Sequence, residues 1–198
     1  MNPMRRSCIA RLVAAAFAWF VVAASAADAP AFKAGVFSPP RSAPEFSLQG
    51  SDAQPLTLSR YRGKVVLLGF GFTSCLDVCP TTLATLAQAR RSLGSAAADV
   101  QIVYITVDPE RDGAERMRAY LRGFDPSFIG GTGTAAQLAA VRQEYGVLAQ
   151  KKTGSGGDTF AHSSFVYLID RGGRIRALMP YGHGPADYVN DLKILLAQ

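Results

Sequence analysis

An α/β fold, a central mixed sheet flanked by helices, is predicted by three observations. Two apolar runs, "KVVLLGFGF" from Lys64 to Phe72 and "VQIVYITVD" from Val100 to Asp108, lack polar alternation and fit strands buried on both faces of a sheet. Each is followed by a stretch with helical spacing. A third run, "SSFVYLID", is joined by "RGG" to "RIRALMPYG", the signature of a hairpin.

The elements follow in order. Residues 43–64, "APEFSLQGSDAQPLTLSRYRGK", read as short strands and turns. After the first buried strand, "CPTTLATLAQARRSLG" starts a helix with Pro80 in its first turn. It carries Leu83, Leu86 and Ala87 on one stripe and stops at Gly94. The second buried strand leads to "RDGAERMRAYLRGF", an amphipathic helix whose Arg residues form a solvated face, and then to "TAAQLAAVRQEYG", a helix ended by Gly146. Lys151 to Ala161, "KKTGSGGDTFA", reads as a Gly-rich mobile loop. The hairpin follows, and "PADYVNDLKILLA" closes the chain as a helix. There is no internal repeat. Right-handed crossovers make the first strands parallel. This is a thioredoxin-like layout, whose strand ends carry the site.

The N-terminal segment has a separate role. Arg5, Arg6 and Arg11 precede an uncharged run from Leu12 to Ala27, and Ala24-Ser25-Ala26 is a small-x-small cleavage signal. This is the pattern of a secretory signal peptide, and the run is short for a spanning helix. An uncleaved anchor is the alternative. Removing residues 1–26 takes away three Arg, leaving 18 Lys and Arg against 15 Asp and Glu, so the net charge drops from +6 to +3. That residual charge argues against nucleic-acid binding. Localisation is expected in the periplasm or at the outer face of the bacterial inner membrane.

Cys8 lies in the leader and has no assigned role, which leaves Cys75 and Cys79. In an oxidising compartment a lone pair is often a structural disulfide. Closing so short a loop removes little unfolded-state entropy, so chemistry explains the pair better. Cys79 stands beside Pro80 at the mouth of a helix, where the dipole lowers thiol pKa. Both sulfurs are therefore expected to be exposed and partly thiolate. His162 lies between the Gly-rich loop and the third strand, near the dithiol in a thioredoxin-like fold. Two thiolates and an imidazole suit copper or zinc. Three protein ligands complete a trigonal Cu(I) site, whereas structural zinc wants four.

The segments "FTSCLDVCP", "YITVDPERD", "SFIGGTGT" and "AHSSFVYLID" resemble the motifs of the Sco/SenC family, in the family's order, over roughly residues 44–196. The resemblance implies a thioredoxin-fold copper chaperone with Cys75, Cys79 and His162 as ligands. It also implies delivery of copper to the copper A site in subunit II of cytochrome c oxidase. Another copper chaperone or a thiol reductase would be a further partner. Two departures stand out. Leu76 takes a place where the family often has Pro, and the leader looks cleavable where many relatives keep an anchor. The expected division is a signal peptide at 1–26, a linker at 27–43 and the copper-binding domain at 44–198.

Other residues have two readings. Asp108 and Asp158 are candidates to hold the outer nitrogen of a ligating imidazole, and Asp108 also suits a turn-forming Asp-Pro. Asp77 could tune the sulfurs or cap the helix. His183 reads as a surface turn residue, with a weak extra copper ligand as its alternative, and Met179 as core rather than an axial ligand. The competing function is a thiol–disulfide oxidoreductase that uses Cys75 and Cys79 as its catalytic redox pair to reduce the oxidase's copper-site cysteines. The CxxxC spacing argues against a general reductase. So does His162-Ser163, which stands where thioredoxins keep a cis-Pro. A thiol peroxidase places Thr or Ser three residues before its reactive Cys, and Phe72 and Leu76 fill those positions here.

Overall fold

The computed structural model describes residues 31–154 and 157–198. The strands are β1 (Gly35–Ser42), β2 (Ser47–Gly50), β3 (Pro55–Thr57), β4 (Val65–Gly71), β5 (Val100–Thr106), β6 (Ile129–Thr132), β7 (Ala149–Gly154), β8 (Gly157–His162), β9 (Phe165–Ile169) and β10 (Arg174–Pro180). The helices are α1 (Val78–Ser92), α2 (Ala114–Arg122), α3 (Ala135–Tyr145) and α4 (Pro185–Leu196). Eight strands form one sheet in the order β1-β10-β9-β4-β5-β6-β2-β3, and β7 and β8 form a separate hairpin.

The mixed sheet follows from the connections. α1 and α2 serve as crossovers, so β4, β5 and β6 run parallel. The tight turn at Gly173, with φ of 75°, returns the chain antiparallel from β9 to β10. β4 lies between β5 and β9 and is buried at every residue, as its continuous apolar run predicts.

Side-chain alternation on β4 sorts the layers. Phe70 faces α3, with its ring 5.8 Å from Tyr145 and 6.1 Å from Tyr167. Gly69 and Gly71 face the other way, toward α1, where a Cβ on Gly71 would come 2.8 Å from the Cys79 sulfur. α1 buries Leu83, Leu86, Ala87 and Ala89 on that side. Each fully buried leucine there contributes about 2 kcal/mol of transfer free energy. α3 is held at both ends. Thr134 and Gln137 form a reciprocal capping box, and Gly146 ends the helix with φ of 68°.

Three segments differ from the sequence expectation. Residues 35–42, inside the expected linker at 27–43, form the edge strand β1 along β10. The backbone partners come from β10, and Pro39 and Pro40 are tolerated because an edge strand needs ladder bonds on one side alone. Within the expected mobile loop at 151–161, residues 151–154 pair with 157–160 as parts of β7 and β8. "SFIGGTGT" contains the short strand β6, whose glycines conceal it. A Cβ on Gly130 would meet Met117 at 2.9 Å, and one on Gly131 would meet Leu56 at 2.8 Å. The expected signal peptide lies outside the described residues. Among the described residues, no helix is long and apolar enough to cross a membrane.

Candidate metal centre

The site forms where β4 ends and α1 begins. Cys75 lies in the loop between them, and Cys79 occupies the first turn of α1. Both cysteines are free thiols. The Cys79 backbone N–H donates to the Cys75 sulfur at 3.5 Å, so the positive end of the helix points at that sulfur. A three-residue spacer thus places Cys75 ahead of the helix rather than on it.

The loop carrying Cys75 is pinned from below. Asp112 is fully buried and accepts the Thr73 N–H at 2.9 Å, the Thr73 hydroxyl at 2.6 Å and the Thr106 hydroxyl at 2.7 Å. Arg116 adds bonds to the Thr73 hydroxyl oxygen at 2.7 Å and to that of Ser74 at 3.0 Å. A buried carboxylate with every partner hydrogen-bonded holds its neighbours to one geometry.

The expectation that both sulfurs are exposed and partly thiolate holds for neither property at Cys79. Its side chain sits beneath α1 at 1% exposure, and burial pushes its thiol up to about 12, more than the Tyr104 hydroxyl beside it offsets. Desolvation outweighs the helix dipole here because the sulfur is under the helix rather than off its end. Cys75 is partly exposed, and Leu76 beside it is 96% exposed.

His162 ends β8 and returns to the dithiol from 83 residues away, with Nε2 3.6 Å from the Cys79 sulfur. Its Nδ1 lies 2.9 Å from the Ser163 carbonyl oxygen. A carbonyl only accepts, so Nδ1 carries the hydrogen and Nε2 is the nitrogen facing the sulfur. The ring packs edge-on to Phe72 at 6.0 Å, and Phe72 also meets Phe160 at 5.5 Å. These aromatics anchor the hairpin over the site.

The carboxylates are arranged otherwise than the sequence led one to expect. Asp108 is buried and paired with Arg111, and the Ser163 carbonyl takes the outer nitrogen of His162 in its stead. The Asp158 side chain lies outside the described residues. Asp77 holds the N-cap position of α1, makes no side-chain cap bond and is exposed. Met179 is fully buried in the core, as its sequence reading anticipated, and His183, read as a turn residue, pairs with Asp187 at 3.0 Å. Sequence reasoning passed over Asp112, Thr73 and Tyr104. The second Asp of "DPERD" and a tyrosine inside a buried strand were the available signals.

Among the described residues, no three His, Cys, Asp or Glu side chains are gathered into a closed ion cage. Cys79 and His162 are already paired, and the Cys75 sulfur sits just ahead of them, accepting the Cys79 N–H. Two sulfurs and one imidazole nitrogen match a soft ion of low coordination number.

The model of the SCO1/SenC family matches residues 37–197. A SCO2-like protein of Rickettsia felis is 33% identical over 152 residues, which are 75% of this chain and 74% of that protein. Three further SCO2-like proteins from Rickettsia match over 64–65% of their length. Among solved structures, Bradyrhizobium japonicum ScoI with copper bound is 36% identical, with a TM-score of 0.72 over 77% of this chain and 98% of that one. Arabidopsis thaliana ScoI with copper bound is 30% identical, with a TM-score of 0.73 over 79% of this chain and 98% of that one. The family match, the shared thioredoxin-like fold and the pairing of His162 with the CxxxC motif agree, and the chain belongs to the SCO1/SenC family.

Proposed function

We propose that this protein is a copper chaperone that holds copper through Cys75, Cys79 and His162 and passes it to the copper A site in subunit II of cytochrome c oxidase. The observation that carries the reading is the approach of His162 Nε2 to the Cys79 sulfur at 3.6 Å. Copper in two solved relatives supports it. The protein acts in the periplasm or at the outer face of the inner membrane, in keeping with the signal-peptide pattern that the sequence carries at residues 1–26.

The unequal exposure of the donors sets an order of exchange. Copper enters on the partly exposed Cys75 and is then taken by Cys79 and His162. On release, ligands of the acceptor replace His162 and Cys75 first, and the buried Cys79 last. Each step swaps one ligand, so the ion never passes through water.

A second reading draws on the same asymmetry. Cys75 could attack a disulfide in the oxidase's copper site, and Cys79 would then close on it. The partner's disulfide gains two electrons and two protons, and Cys75 and Cys79 become a disulfide. Both readings need the reduced pair.

The test is anaerobic titration of the reduced protein with Cu(I) against a competing chelator. One tightly held ion per chain is expected, with binding lost in Cys75→Ser. Full copper affinity in His162→Ala, together with retained disulfide reduction, would turn the assignment toward the oxidoreductase.

A further inference from the structure

β4 is buried throughout, yet Gly69 and Gly71 leave the C-terminal half of one of its faces bare. Glycine inside a buried strand forfeits packing and costs backbone entropy, so a close approach is the usual reason for it. The neighbour in question is Tyr104. It stands opposite Gly69 in the parallel register of β4 and β5. A Cβ on Gly69 would lie 2.9 Å from Cδ2 of its ring, and one on Gly71 would lie 1.8 Å from its hydroxyl oxygen. The ring therefore lies across both glycines, and the same Gly71 Cβ would lie 2.8 Å from the Cys79 sulfur, so the hydroxyl and that sulfur are neighbours. Tyr104 is 2% exposed, so water does not compete for a bond between them. Tyr104, Cys79 and His162 line the same small cleft.

We propose that Tyr104 is a positioning residue for the dithiol: its O–H, carried over Gly69 and Gly71, donates to the Cys79 sulfur, holds that sulfur toward His162 and favours the reduced pair over the disulfide. The inference rests on the Cys75–Cys79 pair being redox-active, as in the proposed function. A thiol or thiolate sulfur accepts a hydrogen bond better than a disulfide sulfur does, and a buried site strengthens the bond. Removing the donor therefore costs the reduced form more than the oxidised one.

The metal-free protein can be equilibrated with glutathione. Two protein thiols give up two electrons and two protons to glutathione disulfide, yielding the Cys75–Cys79 disulfide and two glutathione molecules. Tyr104→Phe keeps the ring and deletes the hydroxyl. It is expected to shift this equilibrium toward the disulfide by about five- to tenfold, tenfold being about 30 mV for a two-electron couple. Gly69→Ala retains the hydroxyl but pushes the ring aside, and is expected to shift it the same way by less. Tyr145→Phe loses a core hydroxyl bond to the Pro44 carbonyl at 2.7 Å, and should lower stability without moving the equilibrium. A Tyr104→Phe equilibrium within twofold of the wild type overturns the proposal, as does an equal shift in Tyr145→Phe. Cu(I) titration of the same proteins separates the two ideas. A shifted equilibrium in a protein that holds no copper keeps the role of Tyr104 and removes the chaperone reading, and copper binding with no shift does the reverse.

Discussion

The two cysteines and the histidine sit on opposite kinds of support. On one side, Cys79 is locked between α1 and the sheet, and the Cys75 loop is tied down through Thr73 to the buried Asp112. On the other, His162 ends a two-stranded hairpin outside the main sheet. That hairpin is tied by the Phe72 contacts, by the Ser163 N–H donating to the Leu148 carbonyl at 2.9 Å, and by an exposed Lys151–Glu110 pair at 2.6 Å. The last of these contributes at most about 1 kcal/mol. One half of the site is thus built into the core and the other is appended to it. Under the proposed function, this division lets the appended histidine leave an ion before the buried Cys79 does, so that the ion is handed over stepwise.

The sharpest way to break this contrast is to remove each half in turn. Cys79→Ser should weaken Cu(I) binding by at least about a thousandfold, ~4 kcal/mol, in a chelator competition. His162→Ala should cost less, roughly 10- to 100-fold, and leave the unfolding midpoint nearly unchanged. Equal losses would erase the distinction between firm and detachable donors.

Stability should divide the same way. Asp112→Ala orphans the Thr73 N–H and strips partners from two hydroxyls, and should lower unfolding free energy by about 3 kcal/mol in denaturant melts. Thiol labelling gives a smaller and more local contrast. At pH 8 the native protein should be alkylated at Cys75, while Cys79, with its thiol pushed up to about 12, reacts roughly a hundredfold more slowly or less. Linkage fixes the sign of the accompanying stability change. The folded protein keeps the Cys79 proton to higher pH than the unfolded chain does. Its contribution is therefore full below the ordinary thiol value of 9.0 and is lost as pH rises toward about 12. The smallest effect is expected at Leu76, which touches little at 96% exposure. Leu76→Pro should change stability by less than about 0.5 kcal/mol and copper affinity by less than threefold.

Legibility in the sequence followed the same divide. β4, β5, β9 and the helices could be read because apolar runs and helical spacing answer to burial, and burial dominates the centre of the sheet. β1 and the β7–β8 hairpin were hidden for the opposite reason. Their residues are mostly exposed, and their strand character comes from backbone pairing with a neighbour that the local pattern does not encode. At the site, the cysteine spacing and one histidine were enough to nominate three candidate donors, of which the fold brings Cys79 and His162 into contact. The burial of Cys79 was not readable, because a Cys-Pro at a helix start looks the same whether the sulfur points out or under. The role of Asp112 depends on Thr73 and Thr106, partners 39 and 6 residues away that only the folded chain brings together.

Both outer edges of the eight-stranded sheet carry prolines, Pro39 and Pro40 on β1 and Pro55 on β3. A proline offers no N–H to an incoming backbone, so neither rim is a good template for another polypeptide. Self-association into extended sheets is discouraged on both flanks, and the backbone groups of each rim stay with the chain's own fold.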